Sequence, residues 1–96
     1  MGDGGDAVRV TRNVARQQFE ALDGAAVLTY DERDGKLMLL HTGVPDEHEG
    51  EGVGSALVQA ALKHARSAGE RVVPFCSFAA AWIRRHPEWA DITDEP

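Results

Sequence analysis

The chain has 96 residues, of which 43% are hydrophobic and 27% charged, and its formal net charge at pH 7 is −6. This composition is typical of one small globular domain with a single core, and it excludes fibrous and disordered proteins. The acidic balance opposes binding to nucleic acids and to anionic membranes, and no apolar run approaches the ~20 residues that cross a bilayer.

The two ends of the chain are polar, and we expect them to be frayed. Residues 1–6 are rich in glycine and aspartate and lack the basic and apolar regions of a signal peptide, while residues 93–96 form an acidic tail. The working domain is therefore expected over residues 7–92. The one cysteine, Cys76, cannot form an internal disulfide, which fits a reducing, cytoplasmic location.

Four segments in the first half of the chain predict β-strands. Apolar and polar residues alternate in residues 8–11 and 18–21, as in strands with one buried face. Residues 25–31 and 36–42 flank the turn dipeptide Asp34-Gly35 and predict a hairpin. Because residues 37–40 are apolar on both faces, we expect the second arm to lie inside the sheet with each face covered.

Helical periodicity extends over residues 53–68, where Gly69 follows as a stop signal. Near the end of the chain, Ser77 is expected to cap a last helix over residues 78–85, which cannot continue past Pro87. The sequence thus predicts two helices after the four strands.

A fifth strand is predicted between these helices, over residues 71–76. A strand that follows a helical crossover runs parallel to a strand already in the sheet. Pro74 has no N–H for pairing, so this strand should lie at an edge or splay away from its neighbour and leave a slot. The predicted fold class is α+β, with four antiparallel strands, a helix, a parallel splayed fifth strand and a C-terminal helix.

The connection from the fourth strand to the long helix has glycine at three alternate positions, Gly50, Gly52 and Gly54. Such glycines let the backbone turn tightly with bare N–H groups directed at one point, where the helix dipole adds partial positive charge. This arrangement suits a phosphate group, although the same glycines would also serve simply to close a strand-to-helix connection. The predicted slot beside Pro74 favours phosphate binding, because it offers room for a chain attached to the phosphate.

Four motifs follow one another between residues 41 and 88, in a resemblance that spans roughly residues 8–92: His41-Thr42-x-Val44-Pro45, Glu49-Gly50-x-Gly52-Val53-Gly54-Ser55, Pro74-x-Cys76 and Arg84-Arg85-His86-Pro87-Glu88. Together they make the chain resemble the GNAT superfamily of acyl-CoA-dependent N-acetyltransferases, and in particular its compact, stand-alone, single-domain subgroup. The resemblance implies that acetyl-CoA is the cofactor and that an amine receives the acetyl group, whether on a small molecule, a protein lysine or a protein N-terminus. An acidic surface would suit a cationic acceptor, but it also serves ordinary solubility.

The resemblance also implies where acetyl-CoA binds. The pantetheine would lie between the fourth and fifth strands, beside the backbone of Thr42, Gly43 and Val44. The pyrophosphate would rest on backbone amides of the glycine loop, which comprises Gly50, Glu51, Gly52, Val53, Gly54 and Ser55. Arg84 either reaches a CoA phosphate or simply suits the carboxyl end of its helix, where cations are favoured.

Two departures from the wider superfamily concern side chains. Glu49 stands where glutamine or arginine is usual, and Glu51 where a basic residue is common, so phosphate binding would depend on backbone amides. Ile83 stands where many members have the tyrosine that protonates the departing thiolate. Two alternatives to an enzyme therefore stay open: a non-catalytic acyl-CoA sensor or carrier, and a domain that keeps the fold without the ligand.

Cys76 and His41 are the candidate catalytic residues. Cys76 precedes a helix N-terminus, where negative charge is favoured, and would accept the acetyl group transiently or assist thiolate departure; otherwise it is a small buried hydrophobe. His41 would act as the base toward the amine, or is a histidine bonded to backbone. No metal site is expected, since His48, His64 and His86 share no ligand spacing with Cys76 or with one another.

Overall fold

Five strands in chain order form one mixed sheet in the computed structural model, which describes residues 8–96. The first four strands pair antiparallel, and the fifth pairs parallel with the fourth. The elements are β1 (Thr11–Asn13), β2 (Gln18–Ala21), β3 (Ala26–Arg33), β4 (Lys36–Gly43), α1 (Val53–Ala68), β5 (Arg71–Pro74) and α2 (Ser77–Arg84), with short 3₁₀ turns at Leu22–Gly24, Asp46–His48 and Pro87–Ile92. The predicted α+β fold is confirmed.

Local signals in the sequence explain two of the connections. Asp34 and Gly35 both have positive φ, at 54° and 76°, and form the tight two-residue turn of the β3–β4 hairpin, as predicted. The helix α1 begins and ends at the residues predicted from the helical periodicity of the sequence, Val53 and Ala68. Gly69 then adopts a left-handed conformation, with φ of 73°, and its N–H donates to the last turn of the helix.

The core lies between the sheet and α1. Leu28, Leu37 and Leu39 project from β3 and β4 and are fully buried, as is Leu57 on the apolar stripe of α1. Burial of such side chains is the main source of stability in a domain of this size. No helix within residues 8–96 combines the length and apolarity that crossing a bilayer requires.

Several expected boundaries were wrong. The first strand is Thr11–Asn13 rather than residues 8–11, because a tight turn, with the Gln17 N–H donating to the Val14 carbonyl, places Asn13 opposite Gln18. Ser77 does not cap α2; it is the first helical residue, Cys76 occupies the N-cap position, and no side-chain cap bond forms.

Two further expectations, on the faces of β4 and on the C-terminal tail, were also wrong. Both faces of β4 were expected to be covered, but Leu40 is 46% exposed. The tail is not frayed at its start, because Thr93 bridges Val72 and the Asp94 N–H donates to the Val72 carbonyl at 2.8 Å. The Asp94 carboxylate also pairs with Arg71 at 2.6 Å. The frayed segment predicted at residues 1–6 lies outside the described residues.

Candidate functional site

Strands β4 and β5 separate at Pro74, as the sequence predicts. Leu39 and Pro74 form the last pair between them. The N–H groups of Phe75 and Cys76 then both donate to the Leu39 carbonyl at 2.9 Å, so the chain turns away into α2 and β5 ends earlier than residue 76. Strand β4 continues to Gly43 with pairing to β3 alone, which leaves a slot beside its second half.

A β-bulge in β4 determines which side chains face this slot. Thr29 pairs with His41 and Tyr30 with Leu39, so Leu40 has no partner in β3. An extra residue reverses the alternation of side chains beyond it. The side chain of Thr42, rather than that of His41, therefore lies on the buried face of the sheet.

Thr42 and Cys76 meet across the slot. The Thr42 Oγ1 and Cys76 Sγ atoms lie 3.2 Å apart, and either can donate the hydrogen bond. Cys76 is only 8% exposed. His41 is exposed on the opposite face, beside Gly43, so the structure does not bring the two candidate catalytic residues together.

The slot opens into a pocket of about 630 Å³, which lies within the usual size range of small-molecule sites. Its lining residues are Thr42, Val44, His48, Glu49, Gly50, Gly52, Val53, Gly54, Ser55 and Phe78. Seven of the residues expected to bind the cofactor are among them. Gly43, Glu51 and Arg84, which were also expected to contact it, are not part of this lining.

The glycine loop presents a set of free backbone donors to the pocket. Gly50 and Gly52 have positive φ, at 85° and 84°, and Gly52 is the N-cap residue of α1, which has no side-chain cap bond. Within residues 8–96, no hydrogen bond is donated by the N–H groups of Gly50, Gly52, Val53, Gly54 and Ser55. The N–H of Glu51, by contrast, donates to the His48 carbonyl at 3.3 Å. Five donors at a helix N-terminus fit an anionic group such as a pyrophosphate.

Residues 18–92 match the family model described as GCN5-related N-acetyl-transferase. The chain belongs to this family. Among solved structures, it is similar to the NMR solution structure of a GCN5-like protein from Staphylococcus aureus, for which N-acetyltransferase activity is proposed. The two chains are 27% identical, the match covers 92% of this chain and 89% of the other, and the TM-score is 0.72. The resemblance inferred from the four motifs is thus confirmed, and the sheet is the GNAT fold.

Two acidic side chains lie in and beside the pocket of this N-acetyltransferase family member. Glu49 lines the pocket, and Glu51 lies beside it, with its Oε1 atom 2.8 Å from Nδ1 of His48. Both partners of that contact are substantially exposed, so water and salt screen it. An anionic ligand would therefore be held by the backbone N–H groups against nearby negative charge.

Phe78 is a pocket residue that the sequence analysis missed. It follows the first residue of α2, and its ring lies so close to Gly54 that a Cβ added there would be 2.8 Å from the Phe78 Cζ atom. The glycine in the first turn of α1 permits this approach. A glycine inside a helical pattern is itself a signal of close approach, although it does not say by which residue.

The last helix contains the remaining predicted residues. Arg84 is exposed in the last turn of α2, away from the pocket lining, where its charge suits the carboxyl end of the helix. Ile83 is buried and has no proton to donate. Trp82 stacks on His86, with ring centroids 3.6 Å apart, and closes this end of the core.

Proposed function

We propose that the chain transfers an acetyl group from acetyl-CoA to an amine. The observation that carries this proposal is the set of five free N–H groups in the glycine loop, which open onto a pocket continuous with the slot. Family membership supports the reaction type. The amine nitrogen forms a bond to the acetyl carbon, the carbon–sulfur bond of the thioester breaks, one proton leaves the amine and the CoA thiolate takes up one proton.

The residues present suit acetyl-CoA. The open space around Gly50 and Gly52, where an added Cβ would meet nothing within 4 Å, leaves room for a pyrophosphate on the loop. From there, the slot beside Thr42 and Val44 leads toward Cys76, which would place the thioester at the point where β4 and β5 separate. Bound acetyl-CoA supplies an activated thioester, and the protein supplies the orientation.

Cys76 is the proposed catalytic residue for the thiolate side of the reaction. With Ile83 in place of a tyrosine acid, the Thr42–Cys76 pair is a proton-bearing group at the slot. It would protonate the departing CoA thiolate, or the Cys76 sulfur would carry the acetyl group before the amine takes it. Mass spectrometry of the protein after mixing with acetyl-CoA distinguishes the two roles, because only the second adds an acetyl group to Cys76.

His41 is the proposed base, and it would act from the other face of the sheet. Because His41 is exposed there, an amine that approached the slot from this face would pass its imidazole. His41 would then take the proton of the amine on this face of the sheet, while Cys76 and the bound CoA lie on the other side of the slot. This arrangement allows the two steps of proton transfer to be tested separately.

The test is release of free CoA thiol from acetyl-CoA in the presence of a panel of small amines and lysine-containing peptides. We expect amine-dependent release by the wild type and a large loss in Cys76→Ala and His41→Ala. Full activity in both variants would remove these residues from the mechanism. Binding of acetyl-CoA without transfer to any amine would instead favour the non-catalytic carrier or sensor, for which buried Ile83 is the supporting observation, and no binding would contradict both functions.

A further inference from the structure

Three side chains with metal-binding atoms converge at the end of the molecule opposite the glycine loop. Glu32 lies near the end of β3, His64 on α1, and Glu70 in the connection from α1 to β5. Nε2 of His64 is 2.7 Å from Oε2 of Glu32 and 3.7 Å from Oε1 of Glu70. One ligand atom from each residue falls within 4.8 Å of the other two, and no other such cluster occurs within residues 8–96.

The hydrogen bonds of the protein leave one atom of this cluster unsatisfied. Oε1 of Glu70 is buried and has no hydrogen-bond partner in the part of the chain that the structure describes. The Nε2 atom of His64 is too far away to donate to it and is already engaged with Glu32. Arg12 approaches only the other side of the cluster, at 3.4 Å from Oε1 of Glu32. A buried acceptor without a partner is costly and requires an explanation.

We propose that Glu32, His64 and Glu70 form a binding site for a divalent transition-metal cation of the zinc class. Ligand atoms of tetrahedral zinc are separated by about 3.3 Å, given metal–ligand distances near 2.0 Å, and small side-chain movements bring these three atoms to that spacing. An imidazole nitrogen favours zinc over magnesium and calcium, which prefer oxygen ligands. The cation would satisfy Oε1 of Glu70 and replace the proton on Nε2 of His64.

The partial exposure of the three side chains would let water reach a bound cation. The side chains of Glu32, His64 and Glu70 are 26%, 22% and 14% exposed, so water can complete the coordination of a bound cation. Three protein ligands and a water are a common zinc environment. Because the ligands come from β3, α1 and the connection between α1 and β5, the cation would join these parts of the fold and stabilise them.

This site is separate from the acetyl-CoA pocket. His64 follows Ser55 by nine residues on α1, which corresponds to roughly 14 Å along the helix axis. The histidine spacing in the sequence predicted no metal site because it involves only the histidines and Cys76, whereas two of these three ligands are carboxylates and Glu32 is 32 residues from His64 along the chain. Metal binding can therefore be measured without any assay of acetyl transfer.

The experiment is a calorimetric titration of the metal-free full chain with Zn²⁺, with Mg²⁺ and Ca²⁺ in parallel. We expect one Zn²⁺ per chain and binding of the two hard cations at least tenfold weaker. His64→Gln and Glu70→Gln should each weaken zinc binding by more than about tenfold, since even outer-shell partners of metal ligands change affinity by 10–100-fold. The matched control is His48→Gln, which removes a histidine from an exposed histidine–carboxylate pair and should retain zinc binding.

Thermal unfolding provides a second measurement. Zn²⁺ should raise the Tm of the wild type and of His48→Gln, but not that of Glu70→Gln. Because glutamine keeps the shape of the glutamate side chain, Glu70→Gln serves as the test variant if His64→Gln fails to fold. Equal zinc affinity in the wild type, His64→Gln and Glu70→Gln would overturn the proposal, as would a titration without one-to-one binding. In that case no cation would bind at the cluster. Burial raises the pKa of Glu70, and a proton would lie between the carboxylates of Glu32 and Glu70 instead.

Discussion

Replacing Gly52 with alanine tests whether the loop backbone holds acetyl-CoA. Gly52 has φ of +84°, and an added Cβ would meet no atom within 4 Å. The cost therefore comes from the left-handed backbone alone and amounts to about 1–2 kcal/mol for a residue other than glycine. Each kcal/mol lowers the Tm of a domain of this size by about 4–8 °C.

Gly35→Ala is the matched control. Gly35 has φ of +76°, also with open space around its missing Cβ, but it lies in the β3–β4 turn outside the pocket lining. Both variants should lose similar stability in thermal unfolding without ligand. In calorimetric titration with acetyl-CoA, Gly52→Ala should also bind more weakly, because its Cβ would occupy open space that the pyrophosphate needs on the loop. If the pyrophosphate loses one hydrogen bond in this way, the cost is about 1.5–3 kcal/mol of binding free energy, or roughly a ten- to a hundredfold rise in Kd.

The comparison separates loss of stability from loss of the binding loop. If Gly35→Ala weakened acetyl-CoA binding as much as Gly52→Ala, the effect would reflect general destabilisation. If Gly52→Ala bound acetyl-CoA as tightly as the wild type, the reasoning that assigns phosphate binding to these amides would be refuted.

Three other changes have definite expected outcomes. Glu51→Lys reverses a negative charge in the glycine loop and should tighten acetyl-CoA binding in low salt, with a smaller gain as salt screens the charge; affinity no tighter than that of the wild type would count against the loop as the phosphate site. Gly54→Ala should displace the 41% exposed ring of Phe78 and weaken acetyl-CoA binding, and Phe78→Ala in the same chain should restore part of it; a strictly additive loss would show that the two residues do not interact. Asp94→Asn should lower the Tm at neutral pH, because the hydrogen bond from Arg71 lowers the pKa of Asp94 and the stabilisation is present above the ordinary aspartate pKa. As the pH falls through the folded-state pKa of Asp94 this contribution is lost, so the two proteins should converge in acid, and a constant difference in Tm at all pH values would contradict the assignment.

The parts of the fold that depend on local signals could be predicted from the sequence. The stop at Gly69 and the turn at Asp34-Gly35 require left-handed backbone, which glycine and aspartate tolerate, and both turned out as expected. Pro74 predicted where the slot opens, because a missing N–H limits strand pairing wherever the strand lies. These features depend on single residues or on short periodic patterns.

The orientation of the site residues could not be predicted in the same way. The bulge at Leu40 depends on the register between β3 and β4, and it decides that Thr42 rather than His41 faces Cys76. Phe78 reaches Gly54 only through the packing of α2 against the start of α1. Contacts between elements distant in the chain depend on tertiary geometry, which the residue pattern of neither element contains.

The most direct test of acetyl-CoA binding follows the backbone amides themselves in two-dimensional NMR spectra during titration with acetyl-CoA. The account predicts that the largest changes occur at the N–H groups of Gly50, Gly52, Val53, Gly54 and Ser55, with a smaller change at Glu51, whose N–H already donates to His48. Unchanged signals from those five amides at saturating acetyl-CoA, or changes confined to other parts of the sheet, would contradict it.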